Sequence, residues 1–185
     1  MKITCSKKDL LKAINIVTKA VPSNTTMPIL KCVLIDASSS EIKFTANDME
    51  LGIETKVNGI ISERGIIALE AKLFSEIIRK LPDNDITIAS DEKYNTLITC
   101  EKAKFNIMGQ SGEDFPYLPF IEKDYKICLS QFTLREIIRQ TIFSIASTET
   151  NKIMTGELFE IKENLLRVIS LDGHRISIRN TELKD

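Results

Sequence analysis

Nucleophilic or metal chemistry would have to rely on very few side chains in this 185-residue sequence, because it contains a single histidine, His174. One histidine excludes a multi-histidine metal site, and a Ser-His or Cys-His mechanism would have to use it. A hydrolase or nuclease would need Asp172 and His174 to meet a second carboxylate or a nucleophile. The sequence has no carboxylate cluster, HExxH motif or glycine-rich phosphate loop. We therefore expect a protein that is not an enzyme, with no metal and no cofactor.

The spacing of the cysteines indicates the cellular compartment of the protein. Cys5, Cys32, Cys100 and Cys128 show no CxxC spacing, and each lies among apolar, β-favouring residues. This pattern predicts buried free thiols in a reducing compartment. The first eight residues turn polar at once, and no apolar run approaches the ~18 residues that a membrane span needs. We expect a cytoplasmic protein.

Positive charge is concentrated in the segments with helical periodicity. The chain has 25 Lys and Arg against 26 Asp and Glu, a formal net charge of −1, which excludes a globally basic nucleic-acid binder. Segments 7–20, 71–80 and 133–144 nevertheless carry +3, +2 and +1, which leaves −7 for the rest. Lys and Arg are good helix formers and are common on solvated faces. The alternative interpretation is a helical layer that neutralises phosphates without reading bases.

The elements that would position these side chains are repeated. A shift of 124 positions aligns the chain with itself without gaps, and a fainter match appears at 64 positions. Repeats of this kind predict one supersecondary unit per copy. The identities at the 124-residue shift fall at Lys2, Ile3, Ser6, Leu10, Ile14, Thr26, Leu34 and Asp48.

Each copy predicts a strand, an amphipathic helix and three further strands, so the fold class is α+β with three βαβββ units. Ser6 and Thr133 are predicted helix caps, and Pro82 ends the second helix. The predicted helices are 8–20, 71–81 and 133–145. The predicted strands are 2–5, 33–36, 41–46, 52–57, 65–69, 85–89, 96–101, 104–108, 126–129, 158–162, 165–170 and 175–179.

Four ordered motifs give the sequence a family resemblance. They are Thr26-Met27-Pro28-Ile29-Leu30, Asn47-Asp48-Met49-Glu50-Leu51, Asp114-Phe115-Pro116 and Leu171-Asp172-Gly173-His174-Arg175. Together with the strand–helix opening, the set resembles the β subunit of bacterial DNA polymerase III, the replicative sliding clamp. The resemblance implies a DNA-clamp fold, with one complete domain at 1–121 and the first half of a middle domain at 122–185.

The resemblance implies a processivity factor that encircles duplex DNA as a ring-shaped dimer and tethers the polymerase. Its partners would be duplex DNA of any sequence, the polymerase III catalytic subunit, the clamp loader and other proteins with a clamp-binding motif. The alternative is a truncated scaffold that binds partners or dimerises without encircling DNA. The DNA-facing residues would be Lys12, Lys19, Asn24, Lys72, Arg79, Lys80, Arg135, Arg139 and Lys152, although Asn24 is neutral where family members often carry a basic residue.

The resemblance also implies a peptide-binding site and a protomer interface. The peptide site would comprise Met154, Leu171, Gly173, His174, Arg175 and Ile176. The alternative is that Asp172 and Gly173 simply form a β-turn. Asp48 occupies the position of Asp172 in the first copy, so Asp172 is expected to be structural. The edge strand 104–108 would join the next protomer through Phe105 and Ile107, with ordinary core packing as the alternative.

Overall fold

The computed structural model describes residues 1–119, 126–148 and 151–183, without the side chain of Lys152. The chain divides into two compact units, Met1–Phe120 and Ile121–Asp185. Both combine helices with antiparallel sheets, so the α+β prediction is confirmed. Within these described ranges, every helix is too short or too polar to cross a bilayer.

The first unit consists of two halves with the same order of elements. The first half contains β1 (Lys2–Ser6), α1 (Lys7–Val17), β2 (Cys32–Asp36), β3 (Ile42–Asn47), β4 (Gly52–Val57) and β5 (Gly59–Glu63). The second half contains β6 (Ile66–Glu70), α2 (Ala71–Lys80), β7 (Asp85–Ser90), β8 (Asn95–Cys100), β9 (Ala103–Met108) and the short β10 (Gln110–Ser111).

The two sheets of the first unit each combine strands from both halves. One has the order β5-β1-β7-β8-β9 and the other β10-β6-β2-β3-β4. Strand β1 pairs with β7 of the second half, and β6 pairs with β2 of the first. Each five-stranded sheet is therefore built from strands of both halves.

The helices of the first unit bury their apolar faces in one core. On α1, Leu10, Ile14 and Val17 recur at helical spacing and are fully buried. On α2, Phe74 is fully buried, and its ring centroid lies 6.2 Å from that of Phe44 on β3. The opposite helix faces are thereby left to solvent.

The second unit repeats the first half of the first unit. It contains α3 (Gln131–Thr141) and a sheet β11-β12-β13, formed by Leu158–Lys162, Leu165–Leu171 and Ile176–Glu182. Helix α3 lies 124 positions after α1, and the 3₁₀ turns Pro28–Lys31 and Lys152–Thr155 are related by the same shift. Strand register is shared too, because Ala46 opposite Ile53 corresponds to Ser170 opposite Ser177. The predicted 124-residue repeat is a structural repeat.

Most predicted elements appear within two residues of their predicted bounds, but strands β5 and β10 were not predicted and the predicted strand 126–129 is not formed. Strand β5 was missed because Ile60 and Ile61 are adjacent and do not alternate; pairing with β1 makes this segment a strand. Segment 126–129 forms no strand, although Lys2–Ser6 does at the matching position. Strand β1 has partners on both sides, whereas the described residues of the second unit provide no strand that pairs with 126–129.

Two side-chain predictions also need correction. Ser6 caps α1 as predicted, accepting from the Asp9 N–H at 3.1 Å. The cap of α3 is Ser130 rather than Thr133, because Ser130 Oγ accepts from the Thr133 N–H at 3.0 Å.

Cys128 is exposed, while the other three thiols are buried. Its strand-like segment lies on no sheet that could cover it.

Candidate nucleic-acid interface and peptide site

Helices α1 and α2 lie side by side and carry the predicted cations of the first unit. Arg79 donates to Asn15 Oδ1 at 3.3 Å, which joins the two solvent-facing helix surfaces. Because the apolar faces are buried in the core, the basic side chains remain exposed. These are Lys12, Lys72, Arg79 and Lys80 on the helices and Lys19 on the 3₁₀ turn Thr18–Ala20.

A groove of about 630 Å³ runs between α2 and the segment that follows α1. Lys31, Lys72 and Arg79 contribute positive charge to it, and Glu70 and Glu76 contribute negative charge. Lys31 was not among the predicted DNA-facing residues because it lies next to a predicted strand rather than in a predicted helix. The signal that could have identified it is Pro28, which favours the first turn of a helix and so predicts the 3₁₀ turn that ends at Lys31.

The predicted cations of α1 and α2 form no ion pair with any other residue that the structure describes. Their charge is therefore available to an external anion. Asn24 lies exposed in the loop after α1 and adds no charge. The described part of the chain brings no three His, Cys, Asp or Glu side chains into a metal-binding group.

The second unit offers a different arrangement of charge. Arg135 and Arg139 are exposed on α3, but Arg139 forms an ion pair with Glu136, 2.7 Å between Nη2 and Oε2. The hydrogen bond from Arg139 lowers the pKa of the Glu136 carboxyl, and the same bond raises the pKa of Arg139. Part of the positive charge on α3 is thus compensated locally. Lys152 was also predicted to face DNA, but its side chain lies outside the described residues.

Five of the six predicted peptide-site residues lie on the hairpin between β12 and β13. Leu171 and Ile176 are cross-strand neighbours, and Gly173 adopts φ +88° in the turn between them. Arg175 Nε lies 2.8 Å from Asp172 Oδ2. The side chains of His174, Arg175 and Ile176 are exposed, so the hairpin presents polar and apolar groups together.

Met154 belongs to a separate 3₁₀ turn, Lys152–Thr155. Its carbonyl oxygen accepts from the Ala146 N–H at 2.8 Å, which ties this turn to the segment after α3. The structure thus brings five of the predicted peptide-site residues together on one hairpin. That these residues and Met154 bind a peptide remains a prediction.

Strand β9 is an edge strand, as the protomer-interface prediction requires. Its two predicted side chains differ in burial. Ile107 is buried in the core of the first unit, whereas Phe105 is 38% exposed. On the opposite face of the strand, Met108 is 67% exposed. Phe105 is therefore accessible to a partner, and Ile107 has the core position that was the alternative.

Comparison with solved structures identifies the class of fold. A putative DNA polymerase III β subunit from Eubacterium rectale superimposes with a TM-score of 0.95 at 68% identity, over 100% of this chain and 51% of that one. The sliding clamp of Bacillus subtilis superimposes with a TM-score of 0.93 at 35% identity, again over 100% and 51%. The architecture is that of a DNA-polymerase sliding clamp.

The sequence comparisons identify the family. The family model described as DNA polymerase III beta subunit, N-terminal domain, matches residues 1–119, and the model for the central domain matches 128–185. The chain belongs to the DNA polymerase III β subunit family. It is 36% identical to the beta sliding clamp of B. subtilis over 99% of its length, and 34% identical to that of Staphylococcus aureus over 100%. The chain spans about half the length of these curated relatives.

Proposed function

We propose that the chain serves as part of a DNA polymerase processivity factor, a sliding clamp that encircles duplex DNA and catalyses no reaction. The observation that supports this proposal is the set of exposed cations on α1 and α2, which form no ion pair among the described residues. A ring that slides needs attraction to phosphates without base contacts that would fix its position. Flexible exposed side chains on a rigid helix layer meet that need.

DNA affinity and its dependence on salt test this proposal. We expect weak, sequence-independent binding of a labelled duplex, with an affinity that falls as salt is added because bound phosphates release counterions. The variant Lys12→Glu/Lys72→Glu/Lys80→Glu should lose most of this affinity and have a smaller salt slope. Fluorescence anisotropy over a range of salt concentrations measures both quantities.

The matched control changes the same amount of charge elsewhere. Lys93→Glu/Lys102→Glu/Lys162→Glu also replaces three exposed lysines, none of which lies on α1 or α2. It should retain most of the affinity. Equal losses in both variants would mean that net charge, rather than the helix layer, controls binding, and would contradict the proposal.

Encirclement is a separate part of the proposal and needs a topological test. A clamp should stay on circular duplex DNA and escape once the circle is cut, because its hold is topological. The competing function is a scaffold that binds partners or dimerises without encircling DNA. Equal retention on circular and linear DNA, or binding to partner peptides without retention on either, would favour the scaffold.

We further propose that the β12–β13 hairpin, with Met154, binds short linear peptides of the polymerase III catalytic subunit, the clamp loader and other clamp-binding proteins. Leu171 and Ile176 provide adjacent apolar surface, and the exposed guanidinium of Arg175 can contact a peptide carbonyl or carboxylate. The ring-forming contact would use the β9 edge and Phe105. The cations Arg135, Arg139 and Lys152 would extend the DNA-facing layer.

A further inference from the structure

The first turn of α2 lacks the side-chain cap that the other two helices have. Ser6 caps α1 and Ser130 caps α3, each with a hydroxyl oxygen that accepts a backbone N–H of the first turn. The residue before α2 is Glu70, and its side chain forms no capping hydrogen bond. Because the first N–H groups of a helix have no partner within it, those of α2, from Ala71 onward, remain donors for a ligand.

Ser75, one turn further along α2, adds a hydroxyl beside these donors. It follows Ala71 by four positions, so the two residues lie on the same helix face. Ser75 is only 7% exposed, yet its hydroxyl has no hydrogen-bond partner among the residues that the structure describes. In that part of the chain no fully buried side-chain oxygen or nitrogen lacks a partner, so the Ser75 hydroxyl must reach open space. Ser75 lines the groove of about 630 Å³ beside α2, which provides that space.

The repeat shows that packing alone does not require a serine at this position. Leu11 on α1 lies 64 positions before Ser75 and packs against the core of the first unit. Burying a hydroxyl without a partner costs free energy, which a leucine at the same position avoids. A ligand in the groove that accepts a hydrogen bond from Ser75 would offset this cost.

Cations surround this row of donors. Lys72 lies in the first turn of α2, and Arg79 follows Ser75 by four positions on the same helix face. Lys31 lines the groove from the 3₁₀ turn Pro28–Lys31. The groove therefore combines backbone N–H groups, a serine hydroxyl and three basic side chains, which is a donor set for an anion.

Two carboxylates, Glu70 and Glu76, line the same groove and partly balance its charge. Three cations against two carboxylates leave a net charge of +1. Within the described ranges neither glutamate forms an ion pair. Lys72 precedes Glu76 by four positions, the less favourable order for a helical ion pair. The carboxylates oppose an anion in the groove, so removing one should strengthen its binding.

We propose that this groove, which we call the α2 groove, is a phosphate-binding site. Phosphate oxygens accept hydrogen bonds from the first N–H groups of α2 and from the Ser75 hydroxyl, while Lys31 and Lys72 supply opposite charge. The N-terminus of a helix favours an anion because its N–H groups point outward and the helix dipole is positive there. The phosphate group belongs either to the backbone of duplex DNA or to a free phosphate compound. The site goes beyond the proposed clamp function because it requires neither encirclement nor a duplex.

NMR titration of the 185-residue chain with inorganic phosphate tests the site. At constant ionic strength, the first-turn amides of α2 should shift and saturate with phosphate, and chloride should not reproduce the shift. Ser75→Ala should raise the Kd by about tenfold, as expected when a hydrogen bond to a charged group is lost. Alanine favours helices more than serine does, so the variant should stay folded.

Ser62→Ala is the matched control, because it removes an exposed hydroxyl on β5, away from the α2 groove. It should leave the Kd for phosphate unchanged. Absence of a saturable shift at the first turn of α2 would overturn the proposal. So would the same Kd in Ser75→Ala as in the unmodified chain.

Charge variants within α2 give a second, oppositely directed test. Lys72→Gln should raise the Kd for phosphate and Glu76→Gln should lower it, each by roughly twofold to fivefold, the range for a partly exposed charge pair. Lys93→Gln, an exposed lysine outside the α2 groove, should have little effect. Weaker binding in Glu76→Gln would contradict a site for an anion.

Binding of a labelled duplex distinguishes the two sources of phosphate. If the phosphate belongs to DNA, Ser75→Ala weakens duplex binding and inorganic phosphate competes with the duplex for the first-turn amides of α2. If it belongs to a free compound, Ser75→Ala weakens binding of inorganic phosphate and leaves duplex affinity unchanged. Either result supports the site. A chain that binds phosphate but no duplex would contradict the clamp proposal alone, and one that binds duplex without any phosphate shift would overturn the phosphate site alone.

Discussion

Asp48 and Asp172 accept the same pair of backbone hydrogen bonds in two copies of the repeat. Asp48 Oδ1 accepts from the N–H groups of Glu50 and Leu51 at 2.9 and 2.6 Å. Asp172 Oδ1 accepts from the residues at the same two positions after it, both at 3.0 Å. The aspartate is thus a turn-forming residue of the repeat. What is particular to the second unit is the side chain at position 175, an arginine that also contacts Asp172.

Acid titration should reveal these contacts. The hydrogen bond from the His174 backbone N–H contributes most to lowering the pKa of the Asp172 carboxyl, and Arg175 lowers it further. Because the pKa of Asp172 is lower in the folded chain than its unfolded value of 3.8, these contacts stabilise the fold at pH values above 3.8. The stabilisation is lost as the pH falls through the pKa of the folded chain. NMR titration should place Asp172 below 3.8. A pKa at or above 3.8 would contradict the observed contacts, and Arg175→Ala should move it upward.

The residue after each of these aspartates has a positive φ, which gives a second prediction. Met49 has φ +77° and its counterpart Gly173 has φ +88°. A side chain in this region is strained and glycine is not, so Met49→Gly should raise the free energy of unfolding by up to about 1 kcal/mol. Gly173→Ala should lower it by about the same amount, although no atom lies within 4 Å of the added Cβ.

Urea denaturation measures both changes. Gly156→Ala is the control, because it is equally unobstructed but has φ −128°. A loss of stability at Gly156 as large as that at Gly173 would show that backbone conformation is not the cause.

The four thiols should differ strongly in the rate at which they react with a disulfide reagent. Cys128 is exposed, whereas burial raises the pKa of Cys5 to about 12 and that of Cys32 to about 11. Burial also raises the pKa of Cys100. Because the thiolate is the reactive form, one thiol of the native chain should react rapidly with a disulfide reagent near pH 8, and three more after unfolding. Cys128→Ser should abolish the fast phase, and a fast phase that survives would contradict the assignment.

The same shifts predict a loss of stability at high pH. An unfolded cysteine loses its proton near pH 9, while folded Cys5 and Cys32 keep theirs to about 12 and 11. The stabilisation is complete below pH 9 and decreases as the pH rises toward the folded values. Cys5→Ala/Cys32→Ala should therefore show a shallower decline of the free energy of unfolding between pH 9 and 11. Parallel declines in both proteins would rule out these thiols as the source.

Much of this fold follows from local sequence, and the exceptions depend on distant contacts. The spacing of Leu10, Ile14 and Val17 fixes both the buried face of α1 and the exposed face that bears Lys12. Strand β5 is different, because its pairing with β1, not its own pattern, makes it a strand. Segment 126–129 has the matching pattern but no strand partner among the described residues, so pattern alone predicts it wrongly.

The candidate sites show the same limit. Alternation along β9 places Phe105 and Ile107 on one face, but it cannot say how deeply each is covered at a sheet edge. The position of Phe105 leaves it accessible, and Ile107 reaches the core. The hairpin residues follow from the turn chemistry of Asp172 and Gly173. Met154 lies on a turn that is well separated from that hairpin in the sequence, and relating the two needs tertiary information that no spacing supplies.

Peptide binding gives the sharpest test of the hairpin assignment. A labelled clamp-binding peptide from the polymerase III catalytic subunit, titrated by fluorescence anisotropy, should bind more weakly to Arg175→Ala and to Met154→Ala. Loss of one polar anchor or one apolar contact at such a surface typically costs about 1–2 kcal/mol, roughly a fivefold to thirtyfold change in Kd. Met49→Ala is the matched control, because Met49 is 61% exposed in the equivalent turn of the first copy. If Arg175→Ala and Met154→Ala both bind like the unmodified chain, the peptide site lies elsewhere. If Arg175→Ala binds more weakly while Met154→Ala binds as well as the control, the site is confined to the hairpin.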